Sequence, residues 1–379
     1  MVDIDRARGT DVIELREGDL DAFHAVPFEA YGPDTRYVAP LRSDLARMLD
    51  PARNPTFAPG DLLFWTAHRD ARPIGRIAAG VHRASNERHG LRRCQFGFFD
   101  CADDARVAQS LLGKVEAFAR ERGLVEVAGN FNLTAMQQIG VMTDGFEHDP
   151  FTDQVHSPPH IHRLLERAGY ERFFPMTTFV TDLTRTDPQG MIGPKQRALL
   201  ADPLFTWAPI TRRTIEPRLE EARAILNDSF RNNPMFVPLT REEYLHQAGD
   251  LKWIVDPRIS AVLKHDGAPV AATICIPDAN PLLRAMGSRI GWTAPFHYLR
   301  HRLSNRRAVL IYTGVASAWQ GRGVGALLMH RVSDAARKAG YTALGGTWIA
   351  DVNEASLRQR RRMGGTPLHR LHLYRKALA

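Results

Sequence analysis

Residues 308–340 read AVLIYTGVASAWQGRGVGALLMHRVSDAARKAG. The opening run, AVLIYTGVA at 308–316, is rich in β-branched and aromatic residues and predicts a strand. The closing run, GALLMHRVSDAARKAG at 325–340, carries apolar residues at helical spacing and ends at Gly340, a C-cap signal. Between them lie Gln320-Gly321-Arg322-Gly323-Val324-Gly325. Small residues there let the chain pass close to a ligand, and successive N–H groups at a helix N-terminus make an anion cradle that suits a pyrophosphate. A dinucleotide fingerprint would need a following βαβ unit with a ribose-binding acid. A tight glycine-rich turn is the bland reading of the same residues.

Working outward, the helical segment EPRLEEARAILNDSF (216–230) precedes a strand pair at 259–277 with its turn at Asp266-Gly267, and a further strand runs from Leu344 to Ile349. The same order of hairpin, strand, helix and strand occurs roughly 200 residues earlier. There the hairpin is LLFWTAHRDARPIGRIAAGVH (62–82), turning at Arg69-Asp70-Ala71-Arg72, and the next strand is Cys94 to Phe99. A helix over 104–123 ends at Gly123, and a short strand follows from Val125 to Ala128. The Pro/Gly-bearing stretch at 184–203 joins the copies, which predicts an N-terminal half, 1–203, and a C-terminal half, 204–379. At 379 residues the chain has room for two cores of the usual ~100–200 residues each.

Apolar residues make up 44% and charged residues 24%, without low-complexity tracts, as in an ordinary folded α/β protein. The formal net charge of +8 implies anionic partners: nucleic acid, a membrane surface or a phosphorylated ligand. No zinc finger, helix-turn-helix or RRM signature accompanies it, so nucleic acid is not expected. No run approaches the ~20 apolar residues of a membrane span, and the start MVDIDRARGTDVIEL lacks the apolar core of a signal peptide. The expectation is a cytoplasmic protein, with attachment at the inner membrane face left open. Cys94, Cys101 and Cys275 lack CxxC spacing and read as reduced core thiols. His156, His160 and His162 cluster, but Pro158-Pro159 interrupts them and no carboxylate or cysteine completes a ligand set, so no metal is expected.

The strand–QGRGVG–helix segment resembles the coenzyme A pyrophosphate loop of the GNAT acyltransferases. The likeness continues through Trp348-Ile349-Ala350-Asp351-Val352-Asn353 to Met363-Gly364-Gly365 and Leu373-Tyr374-Arg375-Lys376. Upstream, Asn54-Pro55, Ile74 to Ala79, Gly129-Asn130-Phe131-Asn132 and Thr143 to Phe146 look like a tandem-GNAT subgroup that includes, or lies near, the bacterial acyl-CoA-dependent ceramide synthases. The resemblance implies two tandem GNAT-like domains, each a mixed, mostly antiparallel sheet flanked by helices. It further implies acyl-CoA as co-substrate and an amine acceptor. The N-terminal copy departs from the pattern: its loop, Asp100 to Arg106, offers carboxylates where a phosphate would sit, so that half is not expected to bind CoA.

Acyl transfer from a thioester needs a neutral amine, a polarised carbonyl and often a proton for the thiolate. By the resemblance, a backbone N–H near Val315 polarises the carbonyl, Gln320 to Gly325 hold the pyrophosphate, and Asn353 binds the pantetheine amides. Asp351, at the end of the next strand, is the leading base, with helix capping as its bland role. The tyrosine acid of many such enzymes is replaced by Arg360. Tyr374 or Tyr312 can substitute, though each also reads as a core tyrosine. The run Arg358 to Arg362 contacts CoA phosphates or coats a helix. Two classes stay open: an N-acyltransferase, acting on a sphingoid base or a small polar amine, and a non-catalytic acyl-CoA binder. An insert of about 30 residues, Ala279 to Arg307, mixes aromatic, aliphatic and arginine side chains. It reads either as an interfacial segment for an anionic membrane, which favours a lipid amine and a long-chain acyl-CoA, or as a packing loop.

Overall fold

The computed structural model describes residues 12–33, 35–248 and 251–379, so the reading of residues 1–11 falls outside it. The first half runs β1 (Glu14–Glu17), α1 (Leu20–Tyr31), α2 (Arg42–Leu49), β2 (Leu62–Arg69), β3 (Arg72–Gly80), α3 (Arg83–His89), β4 (Arg93–Cys101), α4 (Ala105–Glu121), β5 (Glu126–Gly129), β6 (Val141–Asp144), α5 (Pro159–Arg167) and β7 (Glu171–Asp182). The second half runs α6 (Pro194–Ala201), β8 (Phe205–Ala208), α7 (Ile215–Ser229), α8 (Arg241–Ala248), α9 (Leu251–Ile254), β9 (Ala261–His265), β10 (Ala268–Pro277), α10 (Asn280–Ala285), α11 (Ala294–Ser304), β11 (Arg307–Val315), α12 (Val324–Lys338), β12 (Ala343–Ala350), α13 (Glu354–Arg362) and β13 (Gly365–Ala377). The repeated unit is therefore β2–β3–β4–α4–β5 in one half and β9–β10–β11–α12–β12 in the other. In the first hairpin Asp70 and Ala71 both take left-handed backbones, φ 48° and 65°, which matches the twist of a two-residue turn.

The two halves meet edge to edge, and their strands run together as one mixed sheet in the order β1-β2-β3-β4-β5-β13-β7-β12-β11-β10-β9-β8, with β6 paired to β13. The strands at the seam are exchanged. β7, from the first half, lies between β12 and β13 of the second, and β13 reaches across to pair Tyr374 to Ala377 with Gly129 to Glu126 of β5. In each repeat the strand before the long helix pairs in parallel with the strand after it, β4 with β5 and β11 with β12. Helices cover both faces. In the second half α12 packs Val324, Leu327, Leu328 and Val332 into the core at 1% exposure or less, each contributing ~1.5–3 kcal/mol. That anchorage holds the loop in front of α12 against the sheet. On the opposite face α7 buries Leu219, Ala222, Ile225 and Leu226.

The linker at 184–203 lies along α12. Met191, Ile192 and Leu199 pack on the second core, Arg337 donates to the Thr186 carbonyl at 2.8 Å, and Gln196 donates to the Gly323 carbonyl at 3.2 Å.

Candidate active site

The site begins where β11 stops pairing with β12 while staying paired with β10. One extra residue on β11 opposite Ile274 and Cys275 makes a bulge between Leu310 and Tyr312. The bulge interrupts alternation, so Ile311 and Tyr312 both face α7, and it bends the strand. β11 and β12 pair only over 307–310 and 343–346, and beyond those residues they diverge. Alternate backbone N–H and C=O groups of 311–315 have thereby lost a β12 partner and border the gap.

Downstream, a short turn at Ser317–Trp319 is fixed by Asp228 of α7, whose carboxylate accepts from the Ser317 N–H and hydroxyl. Gln320 Nε2 donates to the Val315 carbonyl at 3.1 Å. Gly321 and Gly323 then take φ of 73° and 92°, a region that L side chains rarely enter, which is why the loop needs glycine at both places. Gly323 caps α12 without a side chain, so the first-turn N–H groups have no capping acceptor and face an exposed loop. Val324 roots the loop in the core, while Arg322 lies over the Trp319 ring at 5.2 Å. Gln359 of α13 donates to the Gly325 carbonyl at 2.7 Å and ties α13 to the loop.

The gap between β11 and β12 opens into a cleft of about 1030 Å³, its mouth included. On the α7 face its walls are Leu226, Phe230, Met235 and Phe236, with Ala135, Met136 and Asp153 arriving from the first half. On the other face they are Met329 of α12 and Asn353, Ser356, Gln359, Arg360 and Met363 of the α13 segment. Leu310 to Thr313 and Thr347 to Ala350 line the passage itself.

Two groups that carry charge, one acidic and one basic, have no hydrogen-bond or ion-pair partner for their side chains in this mostly apolar cleft among the described residues. The first is Asp153, where burial pushes the carboxyl up to about 7. It sits at φ 66°, a conformation Asp tolerates better than most residues. Its loop is pinned to the second half: Thr152 donates twice to Asp278, Gln154 Nε2 donates to the Gly346 carbonyl at 2.7 Å, and the Phe151 ring covers Gly345. A side chain at Gly345 would overlap that ring. The second is Arg360, 7% exposed, whose guanidinium lies against Gly346 from the opposite face of the sheet and has Nη1 unsatisfied. Burial lowers its pKa to about 10. Tyr312 also lines the cleft, near Asp153 and 5.9 Å from the Tyr244 ring, and burial holds its phenol protonated, well above the usual range.

Other residues that the sequence marks as candidates lie apart from this cleft. Asp351 does not line it. Both its carboxylate oxygens accept from Arg370, at 2.7 and 2.6 Å, in a bidentate ion pair away from the cleft lining. Capping falls to Asn353, whose Oδ1 accepts from the Ser356 N–H at 3.1 Å while the residue itself borders the cleft. Tyr374 is buried in the first half's core and its hydroxyl donates to Glu166 at 3.1 Å. His156, His160 and His162 turn to different partners: the Phe146 carbonyl, the Cys101 carbonyl and Glu166. All three cysteines are buried free thiols. Of the arginine run, Arg358 pairs with Glu354, and Arg361 and Arg362 are exposed, so only Arg360 turns inward.

The equivalent region of the first half is filled by its own chain. Past Phe96, where β4 leaves β5, Asn132 Oδ1 accepts from the Phe98 N–H and Asn130 Oδ1 from the Phe99 N–H, at 2.9 and 3.1 Å. Phe131 N–H donates to the Phe96 carbonyl, and any side chain at Gly97 would overlap the Phe131 carbonyl oxygen. In the loop beyond, Asp100 is buried between Arg76 and Tyr31, and Asp104 caps α4. The Gly129-Asn130-Phe131-Asn132 segment thus occupies the backbone edge that the second half leaves open. Sequence reading missed Asp153 because nothing local marks it: only the seam between the halves brings residue 153 to a cleft built from residues 226–363.

Residues 219–364 match the model of the acetyltransferase (GNAT) family. Over nearly the whole chain the protein is similar to Protein YghO of Escherichia coli (strain K12), 26% identical over 374 residues, covering 96% of this chain and 94% of that one. It is also similar to a bacterial ceramide synthase of Caulobacter vibrioides (strain NA1000 / CB15N), 25% identical over 368 residues and 95% of each chain. Among solved structures, a tandem GNAT protein from the clavulanic acid biosynthesis pathway superposes with a TM-score of 0.58 at 14% identity, covering 97% of this chain and 98% of its own. A GCN5-related N-acetyltransferase from Sphaerobacter thermophilus gives 0.56 at 13% identity, covering 97% and 96%. The family uses acyl-CoA and an amine acceptor. Residues 219–364 therefore match the acetyltransferase (GNAT) family, and the whole chain shares the fold of the tandem GNAT structures.

Proposed function

We propose that the cleft transfers a long acyl chain from acyl-CoA to the primary amine of a long-chain, sphingoid-type base. Asp153 carries this reading: a carboxylate without a protein partner, set in an apolar cleft, is arranged to take a proton from a substrate rather than to hold the fold. The open N–H groups of Gly321 to Gly325, beside Gln320, take the pyrophosphate, Asn353 and the β11 edge facing the gap, up to Val315, hold the pantetheine arm, and the thioester lies in the gap between β11 and β12. The amine nitrogen attacks the thioester carbonyl carbon, its proton passes to Asp153, the C–S bond breaks and CoA leaves as the thiolate. A charge with a pKa near neutrality serves both as acceptor and later as donor of that proton. Arg360 supplies a desolvated positive charge on the α13 side of the cleft, where it favours the departing thiolate.

The lipid acceptor is supported by the wall chemistry. Met136, Leu226, Phe230, Met235, Phe236 and Trp348 suit hydrocarbon, and the whole-chain similarity to a bacterial ceramide synthase agrees with it. Thiol release from palmitoyl-CoA with sphinganine, against the same assay with putrescine and amino acids, tests the assignment. The expected result is a kcat/KM for sphinganine at least ~10-fold above every small polar amine, since each buried methylene adds ~0.8 kcal/mol. Preference for a small polar amine overturns the acceptor, and CoA-thioester binding without thiol release to any amine overturns the enzymatic reading.

A further inference from the structure

We propose that the insert at 279–306 is a docking surface for anionic lipid headgroups, so that the enzyme works while seated on a membrane. The eleven residues of α11 bury none of their number, and α11 displays its apolar side outward. Phe296, Leu299 and Leu303, at spacing that shares one helical face, are 66%, 57% and 71% exposed, and just upstream Ile290 and Trp292 are 71% and 94% exposed. A helix packed on a protein core does the reverse. No Asp or Glu occurs anywhere between Ala279 and Arg307, whereas Arg289, Arg300, Arg302 and Arg306 are exposed and lack an acidic partner among the described residues. Aromatic and aliphatic side chains beside uncompensated cations match the chemistry of a bilayer interface bearing negative headgroups.

The surface is mounted rigidly. Ser288 Oγ donates to the Ala39 carbonyl at 2.6 Å, Arg42 N–H donates to the Ser288 carbonyl, and Asn280 Nδ2 donates to the Pro150 carbonyl at 3.0 Å. Asp278, at the root of the insert, accepts from Thr152 next to Asp153 and pairs with Arg307 at 2.7 Å. The insert and the Asp153 loop are thus joined at one point, and no helix among the described residues is long and apolar enough to cross the bilayer, so contact is at the surface. The inference does not depend on which amine is acylated.

Co-sedimentation with vesicles of equimolar phosphatidylglycerol and phosphatidylcholine tests it, with phosphatidylcholine vesicles as comparison. The protein is expected to pellet with the anionic vesicles and to be released by high salt. Two variants, Trp292→Ser/Phe296→Ser/Leu303→Ser and Arg300→Glu/Arg302→Glu, are each expected to bind ~10-fold more weakly or less while keeping the parent's melting temperature, because every altered side chain is exposed. Vesicle binding equal in parent and variants, equal binding to both lipids, or no binding at all overturns the proposal. So does a dimer in light scattering that Trp292→Ser dissolves, which would assign the patch to a second copy of the chain.

Discussion

Asp153 and Arg360 owe their significance to what they lack. A desolvated ionisable group without a partner costs stability, and on the proposed reading these two are kept at the cleft wall for chemistry. For Asp153 the consequence is a pH signature. Burial raises the carboxyl to about 7 in the folded protein, whereas in the unfolded chain an Asp ionises near pH ~4. Between those values the folded state holds the extra proton, so the group's contribution to stability falls as pH rises from about 4 to about 7. Asp153→Asn removes that decline, and scanning fluorimetry is expected to show its melting temperature pulling above the parent's across this window. The base must be ionised to act, so kcat/KM for transfer, calculated per neutral amine, is expected to rise through pH ~7 and level off above it. A profile flat from pH 6 to 8 would contradict the assignment. For Arg360, replacement by Met is expected to leave the melting temperature undiminished, since it exchanges an unpaired buried charge for an apolar side chain. It should also lower kcat ~10-fold or more, with little change in acyl-CoA affinity. A fall of several degrees on thermal melting would mean that the guanidinium is part of the scaffold instead.

On the proposed reading, the loop in front of α12 is the element on which acyl-CoA binding turns. Gly323→Glu is expected to abolish acyl-CoA binding by calorimetry, because it forces a side chain and a negative charge into a left-handed backbone position at the anion cradle. Binding as tight as the parent's would place the pyrophosphate elsewhere. This element was legible in the sequence because its signals are local: strand residues, spaced glycines, then helical periodicity with a terminal glycine. The same holds for the hairpins at 62–82 and 259–277. The bulge at 310–312 was not legible, since AVLIYTGVA reads as an unbroken strand and the extra residue exists only relative to its β10 partner. Nor was the role of Gly129 to Asn132, which needs the neighbouring β4 edge to be seen as a plug. Arg360 sat in a run that reads as a solvated face; only the register of α13 on β12, with glycine at 346 leaving room, turns that one guanidinium inward. Asp351 looked like a base at a strand end because Arg370, which occupies it, lies 19 residues further along on β13.

At the scale of the whole molecule, the duplicated halves are unequal and interlocked. One half leaves its strand edge and helix N-terminus open; the other closes the corresponding edge with its own asparagines and lends Asp153 to its neighbour's cleft. Because β7 and β13 cross the seam, we propose that the division at residues 203 and 204 marks the repeat without marking independently folding units. Each half expressed alone is expected to be insoluble or to melt without cooperativity, while the two co-expressed re-form one species by size-exclusion chromatography. A cooperatively folding C-terminal half on its own would count against the interlocked sheet. The same seam supplies the sharpest test of the mechanism, because it predicts that the working carboxylate comes from the half that does not hold CoA. Turnover of acyl-CoA with a saturating amine acceptor is the measurement, made on Asp153→Asn and Asp351→Asn in parallel. Asp153→Asn is expected to lose ~100-fold or more in kcat with acyl-CoA affinity unchanged, and Asp351→Asn to keep its kcat per folded molecule. Full activity in Asp153→Asn, with the loss falling on Asp351→Asn, would contradict the account.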